Sequence, residues 1–385
     1  MRVLVTDAHY PHTLSIVRAL GTSGIEVWLL GPKKLSLSFY SKYCRGKYIS
    51  PPPHSEKEFL RFLFSLLSSF QLDLLIPVSH ESVKVVAKYR ESLRRFVRVE
   101  VPRWEKVSLA LNKRKTYEIA RNLGVPVPET FYPVNPKEAR KVVSRIGLPV
   151  ILKPLWETGV SSCRLSRSLG EFMRDYLRLT EMYGDHVMVQ KYIDDPFTYC
   201  FAALYQDGKC RRFFMHREKR ALPSIGGSGV FVESFFDEKL KAYSVRMLDF
   251  LEWHGVALVE FKRDPETGEF VLMEINPKFW ASVEVAIRAG VNFPLLLCQI
   301  AEGKRLKYRE SYRLGVKFWF PSRELQRIWE QPFSLPQVVA DLLSHRVLTN
   351  VWLCDPFPHF LEFPMALLLV PQFSWLRKML KVLRR

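Results

Sequence analysis

The chain has 385 residues, with 58 Lys and Arg against 39 Asp and Glu, so its formal net charge is +19. Hydrophobic residues make up 48% and aromatic residues 13%, which excludes a disordered chain, and the length predicts two or three domains. No uninterrupted apolar run approaches the roughly 20 residues of a spanning helix, and the cysteines show neither zinc nor disulfide spacing. We expect a cytoplasmic protein whose positive charge attracts nucleic acid, an anionic membrane or a phosphorylated substrate.

The first third of the sequence alternates short apolar runs with amphipathic helical patterns. Apolar runs at 3–5, 27–30 and 72–78 are separated by helical stretches that end at Gly21 and cover 56–70. This alternation predicts a parallel sheet with helices on both faces. The turn after the first run lacks the glycine-rich dinucleotide fingerprint. Its His9 and His12 are either pocket residues or satisfied structural histidines.

Beyond residue 102 the pattern becomes that of an α+β region. Helices are predicted from Asn112 to Gly124 and at 136–146 and 237–253, and a strand is predicted at 150–154. Antiparallel strands are predicted at 187–189, 199–205 and 210–216, followed by a hairpin of 256–262 and 269–275.

That hairpin carries an unusual set of polar residues. Glu260 lies on its first strand, and Glu274 and Asn276, two residues apart, point to one face of its second strand. Two carboxylates with an amide oxygen form a hard-oxygen set that suits Mg²⁺, with Mn²⁺ as a second candidate. The alternative is the solvent-facing side of an amphipathic hairpin. Apolar residues on both faces of the strands favour the metal site.

Two lysines have positions that suit polyphosphate binding. Lys153 ends an apolar strand, and Lys113 begins the helix that follows the first domain. Each supplies a mobile positive charge, although either lysine taken alone is more often a solvated surface residue.

The order of these features along the chain resembles that of the ATP-grasp superfamily. The features are the basic helix start, the strand end at Lys153-Pro154, the segment 189–193, a Gly-Gly loop and the hairpin. The chain looks most like the carboxylate–amine ligases with an ATP-grasp domain of the carbamoyl phosphate synthase type. The resemblance covers residues 1–305, and its most specific part is the run Glu-Ile-Asn-Pro-Lys-Phe-Trp-Ala-Ser at 274–282. It implies an α/β pre-ATP-grasp domain (1–108), a small lobe (109–189), an α+β large lobe with the Mg-ATP site (190–305) and a C-terminal extension (306–385).

The resemblance also implies residue roles. The residues matching ATP contacts are Lys113, Lys153 and the hinge segment of Gln190, Lys191, Tyr192 and Ile193. The residues matching magnesium ligands are Glu260, Glu274 and Asn276. The catalytic candidates are Lys278, where the family often has Arg, and Arg220. The residues matching a loop that closes on the substrate are Arg217, Gly226, Gly227 and Ser228.

The implied activity is that of an ATP- and Mg²⁺-dependent ligase. A small-molecule carboxylate attacks the γ-phosphate, and an amine captures the acyl-phosphate to form an amide, with release of ADP and phosphate. The oligomeric state is open, with a homodimer as one candidate.

Two departures from the family pattern leave an alternative open. The family usually has Glu at the position of Gln190, and a ribose-binding Glu where this chain has Phe197 and Thr198. A catalytically silent, nucleotide-binding regulatory module is therefore an alternative. A nucleic-acid binder is supported by charge alone, and we expect no nucleic-acid partner.

The end of the chain is basic and amphipathic. Apolar residues between 373 and 383 recur at helical spacing, and five basic residues occur in 371–385 with no acidic one. This pattern predicts peripheral contact with an anionic membrane, which would be its inner face for a cytoplasmic protein. The alternative is docking on the protein's own core or at a dimer interface.

Overall fold

The computed structural model describes residues 1–156, 163–184, 186–223, 227–344 and 347–369, apart from the side chains of 330, 342 and 365–369. The predicted loop residue Gly226 and the predicted membrane segment 371–385 lie outside the described residues.

The N-terminal part is the predicted parallel sheet with helices on both faces. Its five strands run in the order β3-β2-β1-β4-β5, and all pairs are parallel. The strands are β1 (Arg2–Val5), β2 (Glu26–Gly31), β3 (Cys44–Ile49), β4 (Leu74–Ile76) and β5 (Arg98–Val99). The helices are α1 (Pro11–Gly21), α2 (Glu56–Ser69), α3 (His80–Lys88) and α4 (Arg90–Leu93). The three inner strands β1, β2 and β4 are mostly apolar and buried, because helices cover both faces of the sheet.

Two helices lead into a small four-stranded sheet. They are α5 (Trp104–Leu111) and α6 (Lys113–Asn122); the side chain of Asn112 caps α6 by accepting a hydrogen bond from the Lys115 backbone N–H. The small sheet has the order β6-β9-β7-β8. Its elements are β6 (Thr130–Phe131), α7 (Pro136–Ile146), β7 (Val150–Pro154), β8 (Arg164–Ser166), α8 (Leu169–Tyr183) and β9 (Val187–Lys191).

The largest sheet has seven strands in the order β14-β13-β10-β11-β12-β15-β16. Five of its strands are β10 (Thr198–Gln206), β11 (Lys209–Leu222), β12 (Ser228–Ser234), β13 (Gly255–Arg263) and β14 (Phe270–Asn276). The helices that pack around it are α9 (Glu238–Phe250), α10 (Val283–Ala289) and α11 (Phe293–Ala301). Strand β11 extends six residues beyond the predicted 210–216, because its second half pairs with β12.

The C-terminal extension adds to this sheet. Strand β15 (Lys317–Trp319) pairs with β12, and β16 (Val347–Thr349) pairs with β15. The helices of the extension are α12 (Pro321–Glu330), α13 (Leu335–Leu343) and α14 (Phe357–Leu369).

A buried ion pair joins the extension to the first domain. Arg18 Nε lies 2.9 Å from Asp355 Oδ2, and both side chains are at most 1% exposed. The Ser41 hydroxyl and the Lys42 backbone N–H also donate to the Asp355 carboxylate.

No single helix among the described residues is long and apolar enough to cross a membrane. Helices α10 and α11 are long and apolar enough for a membrane span only when taken together, and they are bent by 87° relative to each other.

Candidate functional site

The three predicted metal-ligating residues of the hairpin lie together. Glu260 and Glu274 are directly opposite each other in the register of β13 and β14. The side-chain amide nitrogen of Asn276 donates to Glu260 Oε1 at 3.0 Å and to Glu274 Oε1 at 2.9 Å. Lys113 Nζ lies 3.3 Å from Glu274 Oε2. Pairing of the strands therefore converts a sequence spacing into a compact cluster of hard oxygen donors.

The donor chemistry of this cluster fits Mg²⁺ or Mn²⁺. The two carboxylates converge, and the Asn276 amide hydrogens offset part of their mutual repulsion, as does Lys113 beside Glu274. A divalent cation would remove that repulsion more completely. The amide oxygen of Asn276 is turned away from the carboxylates and toward His80 Nε2, 2.8 Å away. A ligand role for Asn276 therefore requires its amide to rotate by half a turn.

His80, which the sequence analysis missed, can satisfy both orientations of this amide. It is the first residue of α3, whose N-terminus is capped by Ser79. Burial, followed by the charge of Lys278, holds the pKa of His80 well below its usual range. A neutral imidazole can either donate or accept at Nε2, so it can bond to the oxygen or to the nitrogen of Asn276. Its only sequence signal is a polar Ser-His-Glu run after a buried strand.

The second predicted lysine is fixed by a buried chain of hydrogen bonds. Lys153 Nζ donates to Gln190 Oε1 at 3.0 Å, and Gln190 is fully buried. The amide nitrogen of Gln190 donates to the hydroxyl oxygens of Tyr117 and Thr130 at 3.0 and 2.9 Å. Those hydroxyls in turn donate to the backbone carbonyls of Met273 and Pro128.

These hydrogen bonds explain why residue 190 is an amide and not a carboxylate. Since both hydroxyls already donate elsewhere, they can only accept from residue 190, and a carboxylate there would face two acceptor oxygens. Gln190 therefore orients Lys153 through a neutral oxygen.

The other predicted hinge residues continue from the small sheet. Lys191 ends β9, and its ammonium lies 2.7 Å from Glu266 Oε2 in the turn of the hairpin. Tyr192 is half-buried and Ile193 is buried. Strand β9 extends two residues past the predicted end of the small lobe at 189.

The two predicted arginines of β11 contact other groups. Arg217 forms an ion pair with Glu233 on β12 at 2.7 Å. Arg220 is buried, and its Nε and Nη2 both donate to Glu324 of α12, at 3.1 and 2.8 Å. Neither arginine lines the cavity beside the carboxylates. Glu218, on the same strand, does line this cavity.

Gly227 and Ser228 of the predicted substrate loop line the cavity beside the carboxylates. A Cβ atom at residue 227 would lie 2.1 Å from the carbonyl oxygen of Pro223, so only glycine fits there.

The cavity has a volume of about 570 Å³. Glu260, Glu274 and Asn276 lie on one side, together with the predicted residue Lys278. Residues that the sequence analysis did not assign to a site complete its wall: Ser79, His80, Glu218, Trp280, Ser322, Arg323, Gln326 and Glu362. His9 and His12 also line it, which favours the pocket interpretation of these two histidines.

A row of polar residues crosses the sheet beneath the cavity. Glu274, Glu260, Cys200 and His216 are opposite one another across four successive strands. The ligand atoms of Cys200, His216 and Glu218 lie within 4.8 Å of one another, so these three could also hold a metal ion. Burial raises the pKa of Glu218 to about 7 and lowers that of His216 to about 3.

Comparisons by sequence find carbamoyl phosphate synthase large chains and carboxylases. The chain is 23% identical over 257 residues to the carbamoyl phosphate synthase large chain of Thermoanaerobacter pseudethanolicus, covering 64% of this chain and 22% of that one. It is 26% identical over 225 residues to the biotin carboxylase of Nostoc sp., covering 54% of this chain and 50% of that one. The chain thus spans between 22% and 29% of the length of these synthase chains. No protein-family profile matches it.

Comparisons by structure find solved carboxylases and ligases with a similar fold. The biotin carboxylase domain dimer of Hydrogenobacter thermophilus 2-oxoglutarate carboxylase, solved with MgADP and bicarbonate, superposes with a TM-score of 0.67 at 18% identity, covering 82% of this chain and 73% of that one. The L-amino acid ligase of Bacillus licheniformis superposes with a TM-score of 0.63 at 15% identity, covering 78% and 73%. N5-carboxyaminoimidazole synthetase of Staphylococcus aureus, complexed with ADP, gives 0.63 at 15% identity, covering 82% and 80%. The predicted resemblance is therefore confirmed: this chain has the ATP-grasp fold, and its relatives are carbamoyl phosphate synthase and biotin carboxylase.

Proposed function

We propose that the protein is an ATP- and Mg²⁺-dependent ligase that activates a small-molecule carboxylate as an acyl-phosphate and joins it to an amine. The observation that carries this proposal is the convergence of Glu260 and Glu274, with Lys113 beside Glu274, at a cavity large enough for a small substrate. The ligase and carboxylase neighbours of the same fold support it.

In this proposal each group at the site acts by charge and position. Glu260 and Glu274, with Asn276 after rotation of its amide, hold Mg²⁺, which when bound neutralises phosphate charge. Lys113 and Lys153 bind phosphate oxygens. Lys278, on the cavity wall, stabilises the negative charge of the transferring group. Because positioning and charge supply most of the rate in phosphoryl transfer, a catalytic histidine or cysteine is not required.

The first test is thermal unfolding with and without Mg-ATP, since it needs no knowledge of the substrate. Binding at about 100 times Kd stabilises a protein by about 2.7 kcal/mol. We expect a Mg²⁺-dependent rise in Tm in the wild type that is lost in Glu274→Ala. Glu269→Ala is the matched control, because Glu269 lies on the same hairpin and contacts only Lys239 and Tyr243 by its side chain within the described part of the chain. Absence of any Mg-ATP effect on the wild type would contradict the proposal.

The second test separates the ligase from a silent module. A ligase releases ADP only when a carboxylate substrate is supplied, whereas a regulatory module binds the nucleotide without carboxylate-dependent ADP release. Nucleotide binding with no ADP release across a broad set of carboxylates and amines would favour the regulatory module.

The assembly and location of the protein stay predictions. The dimeric state of the Hydrogenobacter thermophilus carboxylase domain supports a homodimer for this chain. The cytoplasmic location and the membrane contact through 371–385 rest on the sequence pattern alone.

A further inference from the structure

A second cluster of metal-ligating side chains lies beneath the cavity, one strand beyond the predicted magnesium ligands. Cys200 of β10 is directly opposite His216 of β11, and Glu218 follows His216 by two residues on the same face of that strand. On its other side, Cys200 is opposite Glu260 of β13. Because neighbouring strands lie roughly 4.8 Å apart, this register places a thiol, an imidazole and a carboxyl group side by side.

The geometry of this cluster suits a single metal ion. The ligand atoms of Cys200, His216 and Glu218 all lie within 4.8 Å of one another. Donors bound to Zn²⁺ at about 2.0–2.3 Å in a tetrahedron are about 3.3–3.8 Å apart, so modest side-chain rotations would bring all three to one ion. Three protein ligands of this kind leave the fourth position of the tetrahedron open.

His216 provides an independent observation. Its side chain is fully buried, and its Nε2 lies 2.9 Å from Ser282 Oγ. The other ring nitrogen, Nδ1, is a buried atom without a hydrogen-bond partner among the described residues. Buried polar atoms are normally paired, and a metal-bound imidazole normally has its second nitrogen fixed by a hydrogen bond. The contact with Ser282 therefore leaves Nδ1 as the nitrogen that can bind a metal ion.

The electrostatic potential at Cys200 favours a cation. Burial, followed by the charges of Glu218, Glu260 and Glu274, holds the pKa of Cys200 well above its usual value, and the opposing charge of Lys262 has a smaller effect. These groups disfavour a bare thiolate but would stabilise a thiolate that is bound to a dication. In the metal-free protein burial raises the pKa of Glu218 to about 7, and a bound ion would replace the proton that this group carries.

The cluster differs in chemistry from the carboxylate hairpin and has access to the cavity. Glu260 and Glu274 offer oxygen donors, which suit Mg²⁺, whereas sulfur and nitrogen donors select a borderline ion such as Zn²⁺. Glu218 lines the cavity, whereas Cys200 and His216 do not. The carboxyl group of Glu218 therefore connects the cluster to the cavity, from which an ion and its fourth ligand can enter.

We propose that Cys200, His216 and Glu218 bind a Zn²⁺ ion in the floor of the cavity, as a second metal site separate from the magnesium cluster of the hairpin. Formation of the Zn–S bond releases the thiol proton to solvent, and the fourth ligand is a water molecule or an anion from the cavity. This inference goes beyond the proposed function and does not rest on it.

The test is titration of the full chain with Co²⁺ after removal of metal ions by EDTA. Co²⁺ occupies zinc sites, and its near-ultraviolet charge-transfer band reports a bond to a thiolate. We expect one equivalent of Co²⁺ to produce this band and one equivalent of Zn²⁺ to remove it. The band should be absent in Cys200→Ala. In His216→Asn the Co²⁺ concentration for half saturation should increase by about tenfold or more, because even the loss of an outer-shell partner of a ligand weakens metal binding 10–100-fold.

Cys298→Ala is the matched control. Cys298 of α11 is also a buried free cysteine, and it is not part of the cluster. This variant should give the band of the wild type, and so should Glu274→Ala, which alters only the hairpin site. If Cys200→Ala does not fold, as judged by circular dichroism, His216→Asn provides the second variant.

Three results would overturn the proposal. These are no charge-transfer band in the wild type, a band that persists in Cys200→Ala, and an equal loss of the band in Cys298→Ala. A Mg-ATP effect on Tm without the cobalt band would overturn this inference and leave the nucleotide site standing. The cobalt band without a Mg-ATP effect would support this inference and contradict the proposed function.

Discussion

The two sides of the cavity are built in different ways. Glu260, Glu274 and Asn276 are brought together within one hairpin, over 17 residues of sequence. Arg323 and Glu362 come from helices of the extension, and they reach the cavity because that extension is fixed to two other parts of the molecule. The hairpin side is thus a product of local strand pairing, whereas the extension side depends on long-range buried ion pairs.

This difference bears on what each side of the cavity binds and on how easily a substitution disrupts it. The hairpin side presents two carboxylates and an amide, and we propose that it binds metal and nucleotide. The extension side presents the residues of α12 and α14 that line the cavity. Loss of a tertiary contact should therefore disturb the extension side of the cavity before it disturbs the hairpin side.

The largest expected effect comes from breaking the attachment of the extension. In Asp355→Ala the Arg18 guanidinium stays buried without its carboxylate, which costs about 3–5 kcal/mol of unfolding free energy. Urea denaturation measures this loss. The double variant Arg18→Met, Asp355→Leu removes both charges and should recover much of it. A loss below about 1 kcal/mol in the single variant would contradict the importance of this ion pair.

The second effect concerns Glu218, which faces the cavity between the two sides. Burial raises its pKa to about 7, so the folded protein keeps this proton between about pH 4.5 and 7 while the unfolded chain releases it. The stability that Glu218 contributes is present below pH 4.5 and is lost as the pH rises through 7. From the size of this shift, the wild type should lose about 3 kcal/mol relative to Glu218→Gln between pH 4.5 and 8.

Urea denaturation of both proteins at several pH values measures this difference. The comparison cancels the opposite contribution of His216, whose lowered pKa makes folding more favourable as the pH rises from about 3 to 6.5. A difference that does not change with pH would show that Glu218 is not held protonated by burial.

The smallest effect tests the hydrogen-bond chain behind Lys153. Gln190→Glu removes two donated hydrogen bonds and turns an acceptor toward the oxygens of Tyr117 and Thr130, which should cost about 1–3 kcal/mol. In a Tyr117→Phe background the cost should be smaller, because one of the two opposing oxygens is gone. Urea denaturation of the four proteins gives this double-mutant cycle. A stabilising Gln190→Glu substitution would contradict the assigned chain.

The N-terminal sheet and the carboxylate hairpin could be predicted because their signals are local. Strand and helix periods in the first domain gave its architecture, and the two-residue spacing of Glu274 and Asn276 put both on one face of a strand. The pairing of Glu260 with Glu274 follows from a hairpin with a short turn. In each case the deciding contacts join residues that are near in sequence or repeat at a fixed period.

The remaining parts depended on the tertiary structure. Arg217 and Arg220 matched the pattern of a substrate loop, but ion pairs with Glu233 and Glu324 direct them elsewhere. His80 and Arg323 belong to no motif. His80 lies 196 positions before Asn276 in the sequence and Arg323 lies 47 positions after it, and folding brings both to the cavity.

The sequence by itself therefore determined the elements, the fold and the carboxylate hairpin of this protein. Only the tertiary structure decided which cations are neutralised by buried carboxylates and which face the cavity. The physical reason is that a charged residue has the same appearance in a sequence whether it is paired or not. Its role is set by the partner that folding brings within reach.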